Sequence, residues 1–220
     1  MLRLLACIAL LCPAILRAQE FVETEGLLSD EAFYRLVACA APPDGTCAKK
    51  FLRWPSGDQI RVSLEPLDRA FLGGKQKRAK AALTRAIQYL NRVPMNLSLT
   101  QVPPENDADI RIYFVDTDGS EPISGTGLPG VDGQTVAGAR VIVWARNGVI
   151  NRSVIIFGTR LHIRSYESAM LEELTQALGL LTDIRNPDYD DISIFSQDSN
   201  ASKTLGPQDI KALQRHYPQD

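Results

Sequence analysis

A chain of 220 residues that is 45% hydrophobic is long enough to bury one good-sized core, and one main domain is expected. Its 24 Lys and Arg against 26 Asp and Glu leave a slightly acidic balance, which argues against nucleic acid as the main partner. No stretch approaches the ~20 consecutive apolar residues of a spanning helix, so no stable membrane span is expected.

Residues 1–18 read as a secretory signal: Arg3, an apolar run from Leu4 to Leu16, and Ala18 as a cleavage site before Gln19. Its removal takes Arg3 and Arg17 and no acid, leaving 22 basic against 26 acidic residues. Cys7 and Cys12 leave with it; Ala-Leu-Leu before Cys12 is a poor lipid-attachment sequence. The expected location is secreted or periplasmic. Residues 19–58 are expected to form an N-terminal helix and a cysteine loop, and residues 59–220 the main domain.

Ser29 can cap the first helix, with Asp30 and Glu31 in its opening turn and Phe33, Leu36 and Val37 facing inward. Cys39 and Cys47 then bracket a short Pro/Gly loop, which in an exported protein predicts a disulfide. Gln59 to Leu64 alternates as a strand. After Gly73-Gly74, the spacing of Ala79, Leu83, Ala86, Ile87 and Leu90 predicts an amphipathic helix stopped by Pro94. Lys75, Lys77, Arg78 and Lys80 at its start read as a solvated basic turn. Further strands are predicted at Asn96–Val102, Asp109–Val115, Arg140–Trp144 and Ser153–Phe157, with a glycine-rich loop from Gly119 to Gly138. Gly125-Thr-Gly127-Leu-Pro-Gly130 matches a dinucleotide-binding string, but Pro129 interrupts it and no helix follows. Helices are predicted over about Tyr166 to Leu181 and about Pro207 to His216. This order suggests α+β or mixed α/β layers.

In the Tyr166–Leu181 helix, Met170, Leu171, Leu174, Ala177, Leu178 and Leu181 cluster on one side as a core face. Glu172, Glu173 and Gln176 fall on the other, and read on the helix alone they form a solvated polar face.

The spacing Glu172-Glu173-x-x-Gln176-x-x-Gly179-x-x-Thr182-Asp183 parallels H-E-x-x-H-x-x-G-x-x-H, in which three imidazoles hold Zn²⁺ and a glutamate works on the bound water. Ala108-Asp109-Ile110, the loop segments Gly127–Gly130 and Gly133–Ala139, the turn Asp190–Ser196, and Leu205–Tyr217 follow in an order that resembles the metzincin proteases, most closely the matrixin branch. The layout also looks like that of secreted bacterial proteins of unassigned function. The resemblance implies a zincin-like α+β fold: a twisted mixed sheet, a long backing helix, a central active-site-type helix and a C-terminal helix.

The departures decide the chemistry. Glu172, Gln176 and Thr182 occupy the ligand positions, Phe195 stands where the family has its turn methionine, and Gly138 stands where matrixins carry a structural-zinc histidine. His162 and His216 lack ligand spacing. Zinc is therefore not expected, since it prefers nitrogen and sulfur donors. Three readings follow. The first is a non-proteolytic domain that keeps its cleft, lined by Glu172, Gln176, Thr182, Asp183 and Phe195, as a binding surface for a protein, peptide or envelope component. The second is a hydrolase with Glu173 as general base, using a harder cation held by Glu172, Gln176 and Asp183, or no metal at all. The third is a structural envelope domain, favoured if the polar residues of the central helix are packed away from solvent.

Overall fold

The computed structural model describes residues 21–199 and 201–219. The expected signal, with Cys7 and Cys12, lies outside the described residues. In chain order the elements are β1 (Phe21–Glu23), α1 (Asp30–Cys39), β2 (Gln59–Leu64), α2 (Gly74–Arg92), β3 (Ser98–Val102) and β4 (Ile110–Phe114). They continue with β5 (Ala139–Arg146), β6 (Val149–Phe157), α3 (Tyr166–Gln176), β7 (Asp183–Arg185) and α4 (Pro207–His216).

Alternation in β2 buries Ile60, Val62 and Leu64, and the more continuous apolar runs of β4 and β6 are buried along most of their length. These strands form a five-stranded sheet in the order β3-β2-β4-β6-β5. Every neighbouring pair is parallel except β5–β6. That hairpin turns at Asn147-Gly148, both at positive φ (55° and 82°), the pairing a tight turn between twisted strands demands. The result is a mixed α/β arrangement of one mixed sheet and four helices.

Helices α2 and α3 pack on each other, and their buried side chains join one face of the sheet in the main core. Among the described residues no helix contributes to the apolar cluster on the other face. There the glycine-rich segment folds back so that Ile123, Val131 and Val136 cover Tyr113, Val154 and Ile156. Gly130 (φ 80°) lies against the Trp144 ring, where a Cβ would collide with the indole. Asp132 fixes this loop by accepting from Thr126 N (3.1 Å), Thr126 Oγ1 (2.6 Å) and Gly127 N (3.1 Å).

Ser29 Oγ caps α1 by accepting from Ala32 N. Helix α1 packs against α4, and its Phe33 ring meets Tyr189 (5.5 Å) and Phe195 (6.1 Å). The Cys39–Cys47 disulfide is present, with Cα atoms 5.1 Å apart. It folds the chain back so that Lys49 N donates to Cys39 O. None of the described helices is long and apolar enough to cross a membrane.

The structure corrects the expected limits of the central helix. It ends at Gln176 instead of Leu181, because Leu178 N and Gly179 N bond to the carbonyls of Thr175 and Gln176, three residues back, tightening the last turn. Gly179 then reverses the chain at φ 105°. The freed carbonyls of the helix end are taken up from far along the chain. Trp54 Nε1 donates to Ala177 O (3.0 Å), and Tyr217 Oη donates to Leu178 O (2.6 Å) while accepting from Trp54 N (3.0 Å). Past the turn, Thr182 leads into β7, which pairs parallel with β1 as a two-stranded ribbon.

Candidate functional site

Helix α3 contacts α2 on one side and the outer strand β5 on another. Its second side is therefore covered, and the expected solvated face does not exist. Glu173 keeps 6% of its surface and Gln176 8%. Thr182 and Phe195 are fully buried, while Glu172 and Asp183 remain partly open. Of the residues expected to line a cleft, only those two keep appreciable surface.

Two of the three positions that would carry imidazoles, Gln176 and Thr182, are engaged within the chain. Gln176 Nε2 donates to Asp183 Oδ1 across 2.8 Å. Lys49 Nζ, delivered by the segment after the disulfide loop, donates to Thr182 Oγ1 (3.0 Å) and Leu181 O (3.3 Å). Glu173 is different: its Oε2 is buried and has no hydrogen-bond partner among the described residues. An orphaned buried carboxyl oxygen is costly, and its cheapest state is the neutral one.

Charge and burial act together here. Burial, then the neighbouring Asp183 charge, pushes Glu173 up to about 8, with Arg140 of β5 pulling weakly the other way. Burial, then Asp183 and Glu173, holds Glu172 well above the usual carboxylate range. At neutral pH Glu173 is therefore mostly a carboxylic acid. It can give a proton at one oxygen while its other oxygen accepts a hydrogen bond.

The donor set does not fit catalytic zinc. One carboxylate (Glu172), an amide (Gln176) and a hydroxyl (Thr182) stand where the zinc pattern needs three nitrogens. The imidazoles lie elsewhere. His162 is exposed and caps a short turn by accepting from Arg164 N (3.2 Å). His216 is buried, with Nε2 2.8 Å from Leu52 O and Nδ1 3.3 Å from Tyr34 Oη. Burial pulls His216 down to about 4, so it stays neutral as a packing residue.

The Asp190–Ser196 turn is held from within. Asp209 at the start of α4 accepts from Ser193 Oγ (2.6 Å), Ile194 N (3.0 Å) and Gly206 N (2.7 Å). Burial still raises it to about 6. Phe195, in the methionine position, packs on Phe33 inside the core and presents no surface. Asp190 and Asp191 accept from Ser196 and Ser199 of the same loop.

Sequence reasoning did not find Lys49 or Arg140. Both come from segments remote in sequence, and no motif marks them. Trp54 and Tyr217 were equally hidden, because capping a distant helix end leaves no periodicity to read.

Comparison with known proteins gives one specific relationship. Among solved structures, one titled "Structure of Myroilysin" is 15% identical, with 76% of this chain and 83% of that chain covered and a TM-score of 0.45, a likeness too loose to argue from. No curated protein matches the sequence. Residues 40–219 match a family described as protein of unknown function, DUF2927, and the chain belongs to that family.

Proposed function

We propose that this chain is an exported, zinc-independent domain of the zincin-like (metzincin) layout. Of its former ligand positions Glu172, with the nearby Asp183, contributes to a binding surface for a protein, peptide or envelope component, without zinc proteolysis. The observation that carries the zinc-independent part is the internal bonding of two of the three positions: Gln176 to Asp183, and Thr182 to Lys49. The Cys39–Cys47 disulfide supports an oxidising compartment outside the cytoplasm. Strand β5 is one of the two outer strands of the sheet among the described residues and runs beside α3, a geometry suited to receiving an extended segment.

The test is metal content and proteolysis on one preparation. Purified protein exposed to zinc and then dialysed is expected to retain no stoichiometric metal and to leave casein and gelatin intact. An equivalent of zinc that disappears in Glu172→Ala, together with casein cleavage that disappears in Glu173→Gln, would overturn the proposal.

One observation favours a second reading. A buried glutamate with an unpartnered oxygen and a raised proton affinity has the character of a general acid or base. On this reading Glu173 moves a proton in a metal-free hydrolysis. Hydrolysis of an ester or peptide library, with a rate that follows an ionisation near that of Glu173 and vanishes in Glu173→Gln, would establish it. The third reading, a purely structural domain, gains support from the burial of Glu173, Gln176 and Thr182, while the unpartnered Glu173 oxygen speaks for a role beyond packing.

A further inference from the structure

The start of α2 and the turn before it carry charge that the fold does not use. Residues 69–80 hold five cations, Arg69, Lys75, Lys77, Arg78 and Lys80, and no acid. Lys75 is half-buried, donating to Ala70 O (3.0 Å) with its Nζ 5.3 Å from the Phe71 ring centre. The other four are exposed, and their side chains make no ion pair or hydrogen bond with another described residue. Cations in the first turn of a helix oppose its dipole, and here neither an acid nor a side-chain cap offsets them. Helix stability therefore does not explain the pattern.

Apolar surface adjoins these cations. Leu72 is 52% exposed on the turn that leads into α2. A groove of about 540 Å³ opens beside the helix, lined by Pro66, Leu67, Pro103 and Pro104 together with Lys80. The acids nearest in sequence do not neutralise the patch. Glu65 is buried in the groove wall and paired with Arg111 at 2.6 Å, and Asp68 lines a separate cleft with Asp116 and Thr159. A soluble polyanion would answer the cations alone. An anionic bilayer answers both features, its phosphates meeting the cations and its acyl boundary meeting the exposed leucine and prolines.

We propose that the turn at residues 69–72 and the opening turns of α2 dock this protein reversibly on an anionic phospholipid surface. Arg69, Lys77, Arg78 and Lys80 meet headgroup phosphates, and Leu72 enters the acyl boundary. The surface uses no residue of α3 or β7, so it stands independently of the reading above. The chain's net charge of −2 does not oppose it, because charges beyond about 10 Å are screened at ordinary salt and the local patch decides the contact.

The probes are vesicles of phosphatidylcholine alone and vesicles with about 30% phosphatidylglycerol, mixed with the full protein and followed by cosedimentation. Binding to the anionic vesicles is expected to be at least about tenfold tighter than to the neutral ones, and to fall as salt rises from about 0.05 M to about 0.5 M. The paired variant Lys77→Glu, Lys80→Glu is expected to weaken it at least about tenfold, and Leu72→Ser about threefold. All three positions are exposed, so both variants are expected to unfold at the parent's midpoint. Equal binding to the two vesicle types, or binding untouched by the paired variant, would overturn the assignment. Heparin that binds as tightly as the anionic vesicles and displaces them, with Leu72→Ser without effect, would overturn the lipid in favour of a soluble polyanion. No binding to either vesicle would overturn the proposal and leave the reading of α3 standing.

Discussion

Gln176 Nε2 and Asp183 Oδ1, 2.8 Å apart, tie the last residue of α3 to the first residue of β7 across the Gly179 turn. The amide of Gln176 is thereby committed to a structural bond. Gln176→Leu removes the donor while keeping most of the volume. A loss of about 1–2 kcal/mol in urea unfolding is expected, as for a buried hydrogen bond to a charged acceptor. No change would mean that the bond contributes nothing to holding the turn.

Glu173 makes stability depend on pH in a direction opposite to the usual carboxylate. Its folded-state proton affinity lies near 8, above its ordinary value of 4.5, so between those limits the folded chain binds more protons than the unfolded one. Its burial therefore costs progressively more as pH rises through that window. Glu173→Gln is expected to be more stable than the parent by roughly 3 kcal/mol near pH 8 and equal to it near pH 4, read from thermal or urea unfolding at several pH values. A gain that does not grow with pH would contradict the assignment.

Asp209 gathers three donors, two of them backbone N–H groups that lack any other described acceptor. Asp209→Ala leaves all three buried and unsatisfied. A destabilisation of about 3 kcal/mol is expected, with the Asp190–Ser196 turn losing amide-exchange protection before α2 does.

Gly179 is required on two counts. Its φ of 105° disfavours any side chain, and a Cβ would collide with the carbonyl of Leu52 and crowd His216 Nε2. Gly179→Ala is expected to cost more than about 3 kcal/mol or to prevent folding, whereas alanine at the open Gly74 is expected to be nearly neutral.

The disulfide closes a short loop, eight positions from Cys39 to Cys47. The paired Cys39→Ser, Cys47→Ser variant is expected to lose about 2–3 kcal/mol. Because this loop delivers Lys49 to Thr182, that variant should also broaden the amide resonances of Leu181 and Thr182. Sharp resonances there would separate the disulfide from the candidate site.

Much of the architecture is legible in the residues themselves. The 3.6-residue spacing of Ala79, Leu83, Ala86 and Leu90 marks α2, and the period-2 pattern of Ile60, Val62 and Leu64 marks β2, because each element buries one face against a single layer. The pattern misleads at α3. A helical wheel assumes one covered side, but α3 is covered by α2 and by β5, so Glu173 and Gln176 are buried on the side that looks polar. Strands β1 and β7 are three residues each, too short to show a period, and exist through pairing with each other. The Asn147-Gly148 turn carried a readable hairpin signal that the strand pattern alone did not bring out. Gly179 is visible from sequence as a turn residue, but its need for space beneath Leu52 is visible only in three dimensions.

The meeting of Trp54 and Tyr217, 163 positions apart, has a consequence for how the molecule is made. The final turn of α3 stays unsealed until Tyr217 is in place, so a polypeptide synthesised only as far as α3 cannot lock its own centre. Closure of that turn waits on Tyr217, and a cut between α3 and α4 that releases it would loosen the middle of the molecule first.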